Sequence, residues 1–204
     1  MILNDKEIRN RIINYKDFGM DYQMIDPFSE KQLQGASYDL TIDNEIYTIR
    51  SVNNVVDVKD QSQLDSLYEK VHVDSDGFLL MPYSYILVTL RETIYIPPEL
   101  TAHLRPKTRF IRAGVLVSGQ HINPDSLCKL NLGVVNLTSN PIRMYSNMSI
   151  AQVVFENMSD VPSSDKLYEK KKGSHYAHDI EFIGAKFTNE LSDYIDGEID
   201  RWLK

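Results

Sequence analysis

The residues with the most chemistry to offer stand together at Arg105-Pro-Lys-Thr-Arg-Phe-Ile-Arg-Ala-Gly114. Arg105, Lys107, Arg109 and Arg112 place four cations and the Thr108 hydroxyl within ten residues of a chain whose formal net charge is −7. Cations gathered against the overall charge suggest a local anion site. The anion that suits guanidinium forks beside a hydroxyl is a phosphate. A solvated basic turn would carry the same residues without any ligand, so the segment has to be judged by what surrounds it.

A chain of 204 residues is one domain, or one domain with an appendage, and long enough to bury a real core. With 42% hydrophobic and 25% charged residues it reads as an ordinary globular protein, neither disordered nor fibrous. A pI near 5.2 argues against broad binding to nucleic acid, which needs a basic face. The single cysteine, Cys128, excludes an internal disulfide and a multi-cysteine zinc site, and it fits a reducing compartment. No run is long and apolar enough for a membrane helix, and the first residues lack the order of a signal peptide. These features lead us to expect a cytoplasmic protein with neither a nucleic-acid nor a membrane partner.

The elements that must position the basic segment read as mainly β. A short helix opens the chain, with Asn4 as cap, Glu7 three residues on, and Ile8, Ile12 and Ile13 as its apolar face. Frequent alternation predicts a strand over Ser37–Ile49. Residues 51–76 are polar and without sustained period, which reads as an insertion or long excursion. Strands are then predicted at Phe78–Met81, Tyr85–Leu90, Thr93–Ile96, Val115–Val117, Lys129–Val135, Ile142–Tyr145 and Ile150–Glu156, broken by Pro82, Arg91-Glu92 and Pro97-Pro98. Short strands without intervening helical pattern favour a sandwich or barrel. The expected division is a β domain over 1–161 and a tail over 162–204. That tail carries a basic run at Lys170, Lys171 and Lys172, and a terminal helix near Leu191–Leu203.

Four segments in order carry a family resemblance. Gln34-Gly-Ala-Ser-Tyr-Asp-Leu-Thr-Ile42 resembles the "QPASxDLRLG" strand of the dCTP deaminases. Phe78 to Pro97 is similar to their "F-x-L-x-P-G…T-x-E-x-x-x-L-P" segment. Lys107 to Gly114 falls where they and the related dUTPases carry "GRSSLxRxGL", and Asn136 to Glu156 resembles "N…P-I…Y-P-G-M-x-I-A-Q-L-V-F-E". The resemblance implies a dUTPase-like distorted β-barrel or jelly roll assembling as a homotrimer with sites between subunits. It also implies a pyrimidine deoxynucleoside triphosphate ligand carrying Mg²⁺ on its phosphates, and no zinc.

Carried over residue by residue, the resemblance implies that Lys107, Thr108, Arg109, Arg112 and Gln152 bind phosphate, with Thr108 and Arg112 also at the catalytic centre. Lys107 keeps the charge of the family's arginine but loses its fork. The carboxylates are missing. The deaminases place a Glu three residues before the strand asparagine, here Asn136, and that position is Gly133. Loss of a positioned acid or base costs about 10²–10⁴ in rate. The dUTPase aspartate corresponds to Asn123, an amide that cannot act as a base, with Asp125 two residues on. Between Gly114 and Asn123 the chain is also shorter than the family's base-recognition hairpin. In the tail, Tyr168, His175 and Asp179 match the family's "Y…K-Y-x-x-Q" lid, with His175 for the lysine and Asp179 for the glutamine. A histidine, ordinary pKa ~6.5, gives that lid less permanent charge at neutral pH. Three functions stay open: a deoxynucleotide enzyme converting dCTP to dUTP or hydrolysing dUTP, a nucleotide binder without turnover, and a structural or regulatory trimer.

Overall fold

The structure is a computed structural model that describes residues 1–168 and 178–187, with backbone only at 178 and 179. Asp5–Ile13 is the opening helix, capped as its sequence predicts: the Asn4 side chain accepts from the Glu7 amide at 3.0 Å. Ile8 and Ile12 enter the core. Ile13 is 57% exposed, because one residue on a helix turns a side chain about 100° away from its neighbour.

The Ser37–Ile49 strand organises the barrel. Its first half pairs with Ser149–Asn157 and its second with Tyr85–Leu90, and the register shifts between Ile42 and Ile46. Such an irregularity bends a strand and lets it serve two sheet segments. The path through this sheet runs His121–Ile122, Leu100–Pro106, Ser149–Asn157, Ser37–Ile49, Tyr85–Leu90, Asn131–Asn136, Val115–Val117, with Leu33–Gln34 and Tyr68–His72 attached to the long strand. A second sheet joins Ile25–Asp26, Thr93–Ile96, Ser126–Cys128 and His178–Asp179, and a two-stranded ribbon pairs Ile142–Met144 with Phe78–Leu80. Among the described residues every pairing is antiparallel except Ser126–Cys128 with His178–Asp179. Inward side chains such as Leu40, Ile42, Val88, Leu90, Leu132, Val134, Val153 and Phe155 fill the interior.

The strands bury Ser37, Asp39 and Thr41 as well as the apolar residues between them, so this stretch is covered on both faces. Its polar groups need partners there. Glu92, 1% exposed, provides them: it accepts from the Thr41 amide (2.9 Å), the Thr41 hydroxyl (2.7 Å) and Gln32 Nε2 (2.7 Å). Arg91-Glu92, which in sequence reads as a polar break, therefore contains a core carboxylate. The excursion over 51–76 holds a short helix, Gln61–Ser66, and the Tyr68–His72 strand on the edge of the long one. The expected terminal helix near Leu191–Leu203 lies outside the described residues.

Candidate functional site

The basic segment leaves the Leu100–Pro106 strand and forms a short helix, Thr108–Arg112, rather than an irregular loop. Phe110 is its buried anchor, and this single turn leaves Thr108, Arg109 and Arg112 exposed. Across three strands, Asp39, Gln152 and Arg105 occupy directly opposed positions. Opposed residues point to the same face of a sheet and lie within reach of one another. Gln152 thus comes beside the helix and lines a cavity of about 280 Å³ with Pro106, Lys107, Thr108 and Arg109.

The four cations are not equivalent. Lys107 Nζ lies 2.5 Å from Asp39 Oδ1 in a half-buried ion pair. Its charge is spoken for within the fold, and it fixes the helix start to the long strand. The Arg109 guanidinium donates to the Ser149 carbonyl and sits 5.6 Å from the Phe110 ring centre. Arg105 and Arg112 form no ion pair among the described residues and are exposed. Sequence reasoning missed Asp39; the signal available was an acid alternating with the core residues Tyr38 and Leu40, on the strand face turned toward Gln152 and Arg105.

A second, larger cavity of about 470 Å³ opens elsewhere on the chain. Asn123 and Tyr168 both line it, together with Tyr85, Gln120, His121 and Cys128. The loop that carries Asn123 is held by Ser126 Oγ donating to the Asn123 carbonyl (2.7 Å) and by the Tyr168 amide donating to the Pro124 carbonyl (3.2 Å). Asp125 takes a left-handed backbone, φ 59°, which an aspartate tolerates, and its amide donates to Ile96. It is not among the residues that line this cavity. Within one chain, then, Lys107, Thr108, Arg109 and Gln152 form one group and Asn123 and Tyr168 another, with Arg112 and Asp125 lining neither cavity. His175 and the lysines at 170–172 lie outside the described residues. Of Asp179 only the backbone is described, paired with Cys128.

Gly133 stands on the outward face of Asn131–Asn136, since Leu132, Val134 and Asn136 alternate inward. Asn136 itself is fully buried and structural: it donates to the Leu80 and Asn140 carbonyls and accepts from Thr138. The amide of Gly133 donates to Ser118 Oγ at 2.9 Å.

The cavity wall is completed by residues 183–185. Phe182 stacks on Tyr47 with ring centres 3.5 Å apart and 13° between planes, and meets the edge of Tyr68 at 5.1 Å. The Ala185 amide donates to the Tyr68 hydroxyl, and Gln61 Nε2 donates to the Ala185 carbonyl, each at 3.0 Å. The 51–76 excursion is thus the platform on which this strap lies, a role that its polar sequence does not announce.

His121 and His103 face each other across paired strands, Nδ1 to Nδ1 at 3.5 Å. Burial first, then the neighbouring imidazole, lowers the His121 pKa, opposed by a hydrogen bond with Asn123. A histidine depressed in the fold binds its proton less readily than in the unfolded chain. Its contribution to stability is complete above the ordinary value of 6.5 and is lost as pH falls through the lower folded value. His121→Asn is therefore expected to shrink the loss of stability between about pH 7 and pH 5; urea midpoints at several pH values measure this, and an unchanged acid limb contradicts it.

The chain is similar to known proteins in sequence and in fold. A family model described as dCTP deaminase-like matches residues 2–158. A protein of Methanothermobacter thermautotrophicus named "dCTP deaminase, dUMP-forming" is 29% identical over 188 residues, 90% of this chain and 89% of that one. One of the same name from Persephonella marina is 30% identical over 174 residues, 85% of this chain and 92% of the relative. Among solved structures, the 2'-deoxycytidine 5'-triphosphate deaminase of Agrobacterium tumefaciens superposes with a TM-score of 0.61 at 18% identity. That match covers 85% of this chain and 52% of the other, about half its length. The likeness is one of fold: a mainly β protein, as the strand pattern predicts, in the dUTPase-like distorted barrel that the family resemblance implies.

Proposed function

Because this chain belongs to the dCTP deaminase-like family, we propose that it binds a pyrimidine deoxynucleoside triphosphate and does not deaminate it by the family's route. Gly133 carries the reading. Activation of water at a cytosine ring needs a group that takes a proton and returns it to the leaving amine. Glycine has none, and the other residue expected to orient water, Asn123, is an amide. The triphosphate end is better provided: Thr108 brings a hydroxyl with Gln152 beside it, Arg105 stands opposite Gln152, and Arg112 is a further exposed guanidinium on the same short helix.

The phosphate-side residues and the Asn123–Tyr168 cavity are separate within one chain, so the complete site forms between copies, in a homotrimer. Mg²⁺ on the phosphates would neutralise part of their charge. This requires no carboxylate from the protein, and among the described residues no cluster of three or more His, Cys, Asp or Glu could hold an ion. The residues present fit an ion carried in by the nucleotide. The chain's own part is to orient the triphosphate with Thr108 and the arginines and to hold the base in the cavity beside Tyr168.

Turnover is the second reading, and the names of the relatives favour it: both are called "dCTP deaminase, dUMP-forming". Ammonia and pyrophosphate release from dCTP and dUTP with Mg²⁺ decides between the two. The expected result is release no faster than buffer alone; sustained turnover of either nucleotide would overturn the proposal. Calorimetry with the same nucleotides should give saturable heat. A purely structural or regulatory trimer would give none.

A further inference from the structure

The space that a side chain at position 133 would enter is already filled. A Cβ on Gly133 would stand 2.9 Å from both Cε2 and the hydroxyl oxygen of Tyr85 and 3.3 Å from Cζ. Tyr85 pairs with Val135, so its ring leans along the strand and lies over Gly133. Contacts that short force atoms to move. The glycine is therefore matched to the tyrosine, and a glutamate could not be put back without displacing the ring.

Tyr85 is well placed to meet a ligand. Its ring lines the 470 Å³ cavity with Asn123 and Tyr168, and also an adjoining one of about 290 Å³ with Ser118, Gln120 and Gly133. Tyr85 is 43% exposed and its hydroxyl makes no hydrogen bond among the described residues. Burial raises the phenol pKa further above its ordinary value of 10, so at neutral pH the group both donates and accepts.

We infer that Tyr85 is a ligand-contacting residue whose hydroxyl, standing where the family's acid would project, hydrogen-bonds the polar edge of the pyrimidine. This rests on the proposed nucleotide binding and adds a residue to it. A phenol in that place holds the base without serving as the proton carrier that deamination requires. The pair Tyr85 and Gly133 thus exchanges a catalytic group for a binding one.

Two measurements on the full chain test this. In calorimetry with dCTP or dUTP and Mg²⁺, Tyr85→Phe should weaken binding about 5–10-fold, the loss of one neutral hydrogen bond, while the melting temperature stays unchanged. Equal affinity for wild type and Tyr85→Phe overturns the contact and leaves nucleotide binding standing. Wild type that binds neither nucleotide overturns the function and the contact together. The second measurement needs no nucleotide. Gly133→Ala should change the melting temperature by different amounts in the wild-type background and in Tyr85→Leu, because only the wild type has a ring that must swing aside. If the two substitutions act additively, the ring does not fill the space and the inference fails.

Discussion

Glu92→Ala should remove about 3–5 kcal/mol of folding stability, at the upper end for a single substitution. The carboxylate is buried and accepts three hydrogen bonds, from the Thr41 amide, the Thr41 hydroxyl and Gln32. Alanine leaves the two Thr41 donors inside the protein with no acceptor, each at about 1–3 kcal/mol, and opens a void besides. Against a total of about 5–15 kcal/mol, that is a large share. Glu92→Gln keeps the volume and part of the accepting capacity, so it should fall between. Urea unfolding at fixed protein concentration measures the series, and a loss below about 1 kcal/mol for alanine would contradict the account. The effect should reach the phosphate side. Gln32 Nε2 also donates to the Asp39 carbonyl, and Asp39 holds Lys107 at the start of the Thr108–Arg112 helix.

Phe182→Ala should release the strap while leaving the barrel intact. The ring lies flat on Tyr47 and against the edge of Tyr68, an arrangement worth more than its area alone. For a half-buried phenylalanine we expect about 2 kcal/mol, below the 3–5 of a full core site. That corresponds to roughly a 30-fold rise in the population with the strap detached. The Ala185 amide, which donates to Tyr68, should lose hydrogen-exchange protection by that factor, and a protease should cut within 180–187 sooner. Amides of the Ser37–Ile49 strand should be unaffected. If Ala185 exchanges equally in both proteins, the stacking does not hold the strap.

Much of the barrel was legible because its signals are local. Asn4 and Glu7 mark a helix start by spacing alone, and period-two alternation along Asn131–Asn136 tells which residues face in and which face out. Gly133 reads as a missing group only through the family resemblance, which places an acid three residues before Asn136. The rest depended on partners far apart in sequence. Lys107 reads as a ligand for phosphate until the fold sets Asp39 against it, 68 positions away. Arg91-Glu92 reads as a polar break because burial of a carboxylate is decided by Thr41 and Gln32, not by its neighbours. Residues 51–76 show no period because their task is to receive another segment. Tyr85 reads as one more strand aromatic, and only the backbone of the facing strand reveals which glycine it covers.

The placement of the strap also bears on how the protein is made. The barrel strands up to Asn157 are synthesised, and emerge, ahead of residues 183–185, at roughly 5–20 residues per second. During that interval the cavity stands with one side open and Tyr47 and Tyr68 bare of their aromatic neighbour. The order of synthesis thus puts the barrel strands ahead of the segment that closes the cavity wall, so that the wall is the last part of this region to be assembled.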